Sequence, residues 1–439
     1  MEGTGTVATV KGRGAGSASG GWRDRIRDVD PVLLVVCLTV ATTQAAWSVV
    51  VPVLPAYTAT FGATATELGL VIAMFGVGRL LMNLPAGVLS TRVDARKLLV
   101  VAVVGVVAFQ AATAFAPSLE ALLALRLATG LAGGAAITSG MTLIADLTHT
   151  TNRGRAMALL QGVQLVGGAI GPPLGGLVAM LWDYRMPFLV CGTLAGLVLA
   201  FGGRTLLRAP QGVSEPSSRQ GVSRYRTESD GERRGSLRRL LADRSYLAIC
   251  AVGFSVFLHR FGGVQSLIPL IAYTVVGLSV SELGLVLGIV TACNLVMLSL
   301  AGALSDRVGR KRVIVPGMLV IATFLPLYLV STHAAWFIAV TVVTGVAAGF
   351  SGPTPAAYVA DVAPSNGRGP AVGMYRTFGD LAGIVGPISL GWLVDHTGYQ
   401  MAVVVLAAVI MTTILVFAFV ARETVQWTSC RVLRNQVAG

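Results

Sequence analysis

Long apolar stretches separated by short polar ones recur along the chain from about residue 31 to residue 421. About twenty consecutive apolar residues cross a bilayer as a helix. The pattern therefore predicts twelve membrane-spanning helices in two groups of six. The first group lies near 31–54, 67–89, 98–116, 120–145, 156–181 and 186–203. The second group lies near 246–271, 282–304, 313–332, 334–359, 370–394 and 401–421.

Polar segments flank and divide these two groups. We therefore expect five regions: a disordered cytoplasmic N-terminal tail over 1–30, a six-helix bundle over 31–203, a cytoplasmic central loop over 204–245, a second six-helix bundle over 246–421 and a cytoplasmic C-terminal tail over 422–439. The N-terminal tail is expected to be disordered because it is rich in glycine and serine and is basic.

The second group of spans repeats the first at one constant, ungapped offset. Glu67-Leu-Gly-Leu-Val71 aligns with Glu282-Leu-Gly-Leu-Val286, and at the same offset Gly171-Pro172 aligns with Gly386-Pro387. Two residues related by this offset are called repeat-equivalent. Each half contains an even number of spans, so both copies have the same orientation in the membrane. Parallel repeats of six helices are typical of transporters, in which the substrate binds near the midplane between the halves.

Composition and charge agree with a protein that lies in a lipid bilayer. Only 12% of residues are charged, about half the share in a soluble domain. In the predicted topology 28 Lys and Arg residues lie on one face and only Arg185 lies on the other. This bias predicts that both termini are cytoplasmic. The bases lie between apolar runs, so we expect no nucleic-acid partner.

The loop after the eighth span contains a complete motif, Gly-x-Leu-x-Asp-Arg-x-Gly-Arg-Lys, and the loop after the second span contains a degenerate copy in which Thr91 replaces the acid. This motif resembles the signature loop of the major facilitator superfamily. The resemblance implies an all-α fold of two parallel-repeat six-helix bundles, twelve transmembrane helices in total. It also implies a conformational switch formed by Gly87, Arg92, Asp94, Gly302, Asp306, Arg307, Gly309 and Arg310.

The fourth and fifth spans resemble the drug/proton antiporter branch of that superfamily. The antiporter-like motif of the fifth span consists of Gly167, Gly171, Pro172, Gly175 and Gly176. Ala158 stands where that motif usually has a further glycine, and generic small-residue packing is the alternative interpretation. In the fourth span Arg126-x-x-Thr129-Gly130 resembles an Arg-x-x-Gln-Gly motif, with Thr129 in place of Gln.

Five ionisable residues lie deep inside predicted spans, where charge is unfavourable unless it faces a partner or a wet cavity. Arg376 and Asp380 are four residues apart and share a helical face, and Arg79 lies at a similar depth in the second span. The resemblance implies that spans two and eleven are neighbours. We therefore expect Arg79, Arg376 and Asp380 to form one cluster in which Asp380 exchanges protons. Arg126, in the fourth span, is a further candidate for proton coupling. A permanent structural salt bridge is the alternative.

Other polar and aromatic side chains inside the spans are candidates for the wall of a substrate cavity: Gln44, Trp47, Gln161, Gln164, His259, Arg260 and Asn294. The surplus of arginines over acids favours an acidic or polar, partly aromatic ligand. His259 also has a purely structural interpretation, since a buried imidazole can simply bond a neighbouring group.

These features predict a secondary active transporter in the cell membrane rather than an enzyme, with a small-molecule substrate and protons as partners and a monomeric state. The chain lacks an ATP-binding GxxxxGK[ST] sequence and His/Cys clusters, so we expect no cofactor and no metal. The main expectation is proton-coupled efflux of a small amphiphilic compound, such as a drug in multidrug resistance, an antibiotic or a secondary metabolite. The alternatives are proton-coupled uptake of an organic anion and a non-transporting membrane sensor or assembly partner.

Overall fold

The computed structural model describes residues 31–90, 93–148, 153–208, 242–331, 333–352, 354–363 and 368–424. The helices of these segments are α1 Pro31–Ser48, α2 Leu54–Ala59, α3 Ala65–Leu89, α4 Ala95–Ala114, α5 Leu119–Leu147, α6 Arg153–Leu181, α7 Met186–Arg208, α8 Arg244–Val276, α9 Val280–Val308, α10 Arg310–Val330, α11 Ala334–Phe350, α12 Thr354–Val362, α13 Arg368–Thr397 and α14 Tyr399–Val420. Eleven helical stretches are long and apolar enough to cross a membrane, and α1 is a shorter apolar helix.

Two predicted spans are interrupted, which corrects the expectation of continuous helices there. The first span ends as α1 at Ser48 and resumes as α2 at Leu54. Pro52 and Pro55 lie at this break and lack the backbone N–H that a continuous helix needs. The tenth span is likewise divided into α11 and α12, and Gly352 lies in the interruption.

The seventh span is a single long helix, α8, with two wider π-helical stretches. These stretches are His259–Leu267 and Ala272–Val276. A π-helical turn contains an additional residue and is frequent at functional sites. The first of these stretches includes Arg260 and Phe261, which lie near the centre of the molecule.

The helices form two bundles, α1–α7 and α8–α14, and each contains buried apolar residues. Phe261 of α8 packs into a cluster of first-bundle residues. In the first bundle α3 and α4 pack on α5, and α1 packs on α6. In the second bundle α9 packs on α11, and α8 packs on α13. The bundles meet along two lines of contact, the α3–α13 seam and the α6–α9 seam.

The two bundles approach each other most closely on the side of the membrane opposite the signature loops, which we call the opposite face. On the α3–α13 seam, a Cβ at Gly69 would overlap the carbonyl oxygen of Pro387. On the α6–α9 seam, a Cβ at Gly176 would lie 3.0 Å from the Cα of Gly284. On the signature-loop face, by contrast, a Cβ at Gly87 would have no described residue within 4 Å. The described structure is therefore closed at the opposite face.

Candidate functional site

A small pocket lies between the bundles, about midway along α3 and α13. It has about 280 Å³ of empty space, part of it open to solvent. Its walls are formed by Trp47 from α1, Ile72, Phe75, Gly76 and Arg79 from α3, Phe261 from α8, and Asp380 and Gly383 from α13. The walls therefore combine three aromatic rings with one cation and one acid, and both bundles contribute to them.

The cation and the acid of this pocket form an ion pair across the α3–α13 seam. Nη2 of Arg79 donates a hydrogen bond to Oδ1 of Asp380 over 3.0 Å. The side chains are 24% and 18% exposed, so water still reaches both groups. The pair predicted from the matched depths of the two residues is thus present, and it joins one bundle to the other.

Arg376 does not join this pair, which corrects the expectation of a cluster of three. Among the described residues it makes no ion pair with Asp380, and it is exposed. Side chains on a helix tilt toward its N-terminus, and that direction carries the Arg376 guanidinium away from Asp380, toward the signature-loop face. Arg260 is exposed as well, and it lies close enough to Arg79 for the two charges to repel.

Arg126 is buried behind the aromatic wall of the pocket. Only 1% of the residue is exposed. Its guanidinium carbon lies 5.4 Å from the ring centroid of Trp47 and 5.5 Å from that of Phe75. The two rings are stacked with centroids 3.9 Å apart. Nε and Nη1 of Arg126 have no hydrogen-bond partner among the described residues. Cation–π attraction is thus the visible compensation for burying this charge.

Gln110 holds the end of α1 in place beside the pocket. The helix stops at Ser48, and Nε2 of Gln110 donates a hydrogen bond to the backbone carbonyl of Ala46 over 2.8 Å. The side chain of Gln110 is completely buried. Because Ala46 directly precedes Trp47, this bond fixes the backbone from which the indole reaches the pocket.

The other candidates for the cavity wall whose side chains the structure describes lie outside the walls of this pocket. Asn294 donates to the carbonyl of Gly345 over 3.4 Å, which ties α9 to α11. His259 is buried with both ring nitrogens unpartnered among the described residues, and Gly263 and Leu406 share its surroundings. Two further candidates, Gln44 and Gln164, are partly buried, and the side chain of Gln161 lies outside the described residues.

The complete signature loop forms an ion-pair network within the second bundle. Arg310 pairs with Asp306 and, over 3.2 Å, with Asp361. Its Nη1 also donates to Oγ of Ser305 over 2.7 Å. Arg307 lies in the last turn of α9 and is exposed, and Gly302 has open space beside it. In the degenerate copy Thr91 and Arg92 lie outside the described residues.

The helices that follow the two signature loops are capped by carboxylates from different parts of the chain. In the first copy Asp94 itself accepts a hydrogen bond from the first turn of α4 over 3.0 Å. The repeat-equivalent residue in the complete copy is Gly309, with a φ of +118°. There Glu423 accepts from the backbone N–H groups of Lys311 and Arg312, each over 3.3 Å. A Cβ at Gly309 would lie 2.6 Å from the Glu423 carboxylate, so the glycine permits this cap.

The antiporter-like glycines of α6 pack on two different helices. The set that faces α1 comprises Gly167, Gly171 and Gly175, beside Ala41, Ser48 and Val49 respectively. Gly176 and the carbonyl of Pro172 instead face Gly284 of α9, in the other bundle. The motif therefore allows α6 to pack closely on α1 within the first bundle and on α9 across the two bundles.

A carboxylate also joins the bundles at the opposite face. Asp395, near the end of α13, accepts hydrogen bonds from the backbone N–H groups of Ala65 (2.9 Å) and Thr66 (2.8 Å) at the start of α3. The hydroxyl of Thr66 donates to the same carboxylate. A negative charge at a helix N-terminus is favourable, because the first N–H groups have no partner within the helix.

The sequence did not single out Phe75, Phe261, Gln110 or Asp395 as site residues. Hydropathy shows that a span crosses the membrane but not which face points to the pocket, so the two phenylalanines could not be separated from other apolar residues. Gln110 carried a usable signal, since a fully buried amide inside an apolar span needs a partner.

Comparisons with known proteins identify relatives of the chain. The family model of the Major Facilitator Superfamily matches residues 36–279 and 253–429. An uncharacterized MFS-type transporter of Methanocaldococcus jannaschii is 24% identical, over 83% of this chain and 92% of its own. The hexuronate transporter of Bacillus subtilis is 25% identical, over 76% of this chain and 81% of its own. The quinolone resistance protein NorA of Staphylococcus aureus is 28% identical over only 35% of this chain and 38% of its own.

Solved structures show the same fold. A bacterial homologue of the human lysosomal transporter Spinster, in an inward-facing and occupied conformation, superposes with a TM-score of 0.74 at 15% identity, covering 92% of this chain and 97% of that one. The D-xylose-proton symporter superposes with a TM-score of 0.73 at 18% identity, covering 90% and 98%. At these identities the likeness concerns the fold alone.

Proposed function

The chain belongs to the Major Facilitator Superfamily and is a membrane transporter, and from that premise we propose that it carries an organic anion together with protons by alternating access. The observation that supports this proposal is the charge of the central pocket. Arg79 lies in its wall, Arg260 lies close to Arg79, and Arg126 lies buried behind two of its rings. Asp380 is the single acid of the wall.

An anionic substrate would relieve this excess of positive charge. A buried guanidinium without an acid is unfavourable, and its two unpartnered nitrogens add to that. The field of Arg126 reaches the pocket across only one layer of rings, in surroundings where charge is weakly screened. The similarity to the hexuronate transporter, whose name denotes a carboxylate substrate, supports the same class.

The ion pair between the bundles provides a way to couple the anion to a proton. While Asp380 is ionised, it occupies the Arg79 guanidinium. Protonation removes the negative charge, and Arg79 is then free to pair with the carboxylate of the substrate. Proton and anion thus bind to the site together and leave together. A monoanion carried with one proton moves no net charge, so the membrane potential does not oppose its entry.

A second candidate is proton-coupled efflux of an amphiphilic compound. Two observations favour it: the pocket walls include three aromatic rings, and the glycines of α6 resemble an antiporter motif. NorA is similar over a part of the chain. A cationic drug would meet repulsion from Arg79 and Arg126, which is why the anion is the preferred proposal.

The orientation of the protein is part of the proposal. The strong Lys and Arg bias favours a cytoplasmic signature-loop face, with both termini in the cytoplasm of a cell with this protein in its cell membrane. The closed opposite face is then extracytoplasmic. An epitope at either terminus should react with antibody only after the membrane is permeabilised, and reaction in intact cells would contradict this orientation.

Transport by the purified protein in liposomes tests the proposed function. Proton uptake should follow the addition of an organic acid, with D-glucuronate, succinate and benzoate as the acids and ethidium as a cationic probe of the alternative. Arg79→Gln should weaken anion binding roughly 10- to 100-fold, because it removes a charge-assisted bond. The control is Asn294→Ala, since Asn294 is the repeat-equivalent of Arg79 and contacts α11 rather than the pocket. Proton movement with ethidium and with none of the acids would contradict anion transport.

A further inference from the structure

The walls of the central pocket contain few groups that could bind hydroxyls. Apart from Arg79, Asp380 and the indole N–H of Trp47, the described residues of the walls offer aromatic, aliphatic or glycine surface. A sugar acid carries several hydroxyls, and each needs a hydrogen-bond partner when water is removed. The pocket therefore differs from what a polyhydroxylated anion requires, although a hexuronate transporter is among the relatives.

The aromatic rings form a continuous group along one side of the pocket. Phe75 stacks on Trp47 with centroids 3.9 Å apart, and Phe261 lies 6.3 Å from Trp47 at an angle of 57°. Phe257 stacks on Phe261, with centroids 6.1 Å apart, and supports it from behind. Aromatic rings prefer tilted or offset partners at such separations, so an aromatic ligand that enters the pocket would meet favourable ring partners there.

Two glycines line the pocket next to these rings. Gly76 and Gly383 contribute only backbone to the wall. A Cβ at Gly383 would lie 3.0 Å from the Phe261 ring, so a larger residue there would displace the ring. The absence of a Cβ at these two positions keeps the space beside Phe261 open, which favours a small ligand with a flat ring.

We propose that the substrate is a small aromatic monocarboxylate, whose ring packs beside Phe261 and the Trp47–Phe75 pair and whose carboxylate binds Arg79. This inference rests on the proposed anion transport and adds the chemical class of the anion. The carboxylate takes the place of Asp380 on Arg79, so a single carboxylate suffices. A second carboxylate on the ligand would find no free cation within the described walls of the pocket.

Equilibrium binding to the purified protein in detergent tests this class. The probes are benzoate, cyclohexanecarboxylate, benzyl alcohol and D-glucuronate. Benzoate should bind at least about tenfold more tightly than D-glucuronate and benzyl alcohol. Cyclohexanecarboxylate should lie between them, because it keeps the carboxylate and the bulk but lacks the π face.

Phe261 offers a matched pair of variants. Phe261→Leu should weaken benzoate binding roughly 3- to 10-fold and leave D-glucuronate binding unchanged, whereas Phe261→Tyr keeps a ring and should bind benzoate like the parent. If Phe261→Leu does not fold, the order of the four probes on the unaltered protein decides the question by itself.

The outcomes separate the two proposals. D-Glucuronate binding more tightly than benzoate would overturn the aromatic class and leave anion transport standing. Benzyl alcohol binding as tightly as benzoate would overturn the role of the carboxylate and with it anion transport. Binding of none of the acids, with binding of ethidium, would overturn both.

Discussion

The α3–α13 seam and the α6–α9 seam are built on the same plan but carry different chemistry. On the first seam Gly69 approaches the carbonyl of Pro387, and on the second Gly284 approaches the carbonyl of Pro172. The two glycines are repeat-equivalent, and so are the two prolines. Both α3 and α9 also begin with the same capping box, at Thr64 and at Ser279. Because of the internal repeat, the same glycine–proline contact brings the bundles together on both seams.

The polar groups of the α3–α13 seam have no counterparts on the other seam. The repeat-equivalents of Arg79, Asp380 and Asp395 are Asn294, Leu165 and Met180. A carboxylate therefore joins the bundles at two depths on one seam, whereas the other seam is made of glycine, proline and apolar contacts. Close packing is therefore shared by the two seams, whereas among the described residues an ion pair between the bundles lies on the α3–α13 seam alone.

The largest effect is expected where the seams are alike. Gly69→Val and Gly284→Val should each prevent closure of the opposite face, because the new side chain would overlap a backbone carbonyl. Overpacking of about 1–3 kcal/mol would shift the closed state roughly 5- to 150-fold toward the open one, with a corresponding loss of transport. Spin-label distances across the opposite face measure the shift.

Gly168 of α6 serves as the control for these two variants. Gly168 has open space beside it, so Gly168→Val should leave the spin-label distances unchanged. A strong effect of Gly69→Val with none of Gly284→Val would show that the scaffold is not shared between the seams.

A smaller effect is expected from the cap at the opposite face. Asp395→Ala removes the acceptor for two backbone N–H groups of α3. Loss of such a cap costs about 0.5–2 kcal/mol, which would open this face roughly 2- to 30-fold more often. Accessibility of a cysteine introduced at residue 65 to a membrane-impermeant thiol reagent measures this. Met180→Ala, at the equivalent place on the other seam, should change nothing, and equal reactivity in the two variants would contradict the comparison.

The smallest effect is expected in the signature loops. Asp306→Asn should lower the rate of transport a few-fold, because Arg310 retains its contact with Asp361 and exposed ion pairs contribute about 0–1 kcal/mol. Thr91→Asn in the degenerate copy should have a weaker effect, since no charge is removed. Initial uptake rates at matched expression compare the two variants. Equal, mild reductions in uptake rate would show that the complete motif contributes no more to transport than the degenerate copy does.

Much of the architecture follows from patterns within the chain. The helix bounds agree with the apolar runs to within a few residues, except where Pro52 and Gly352 interrupt them. The pairing of Arg79 with Asp380 could be predicted, because a buried charge requires a partner and only one acid lies at that depth. The repeat also predicted a common scaffold, since Gly171-Pro172 and Gly386-Pro387 align.

The features that could not be predicted depend on the rotation of each helix about its axis and on partners that lie far apart along the chain. Phe261 faces the pocket only because of how α8 is turned about its axis within its π-helical stretch. Asp395 and Glu423 cap helices that lie far away along the chain, and no local pattern marks such partners. Arg376 was wrongly assigned to the ion pair because four-residue spacing places Cα atoms on one face but does not decide where a long side chain ends.

The proposed transport cycle depends on proton coupling through Asp380 on the α3–α13 seam. Its most direct test is benzoate and D-glucuronate transport by Asp380→Asn in liposomes, with Asn294→Leu, at the repeat-equivalent of Arg79 on α9, as the control. When the outside of the liposomes is more acidic than the inside, the parent should accumulate substrate. Asn294→Leu should do so to within about twofold of the parent. Asp380→Asn should still exchange internal for external substrate but should not accumulate it. Substrate accumulation by Asp380→Asn at the parental level would contradict proton coupling through Asp380. His259 would then be the next residue to test.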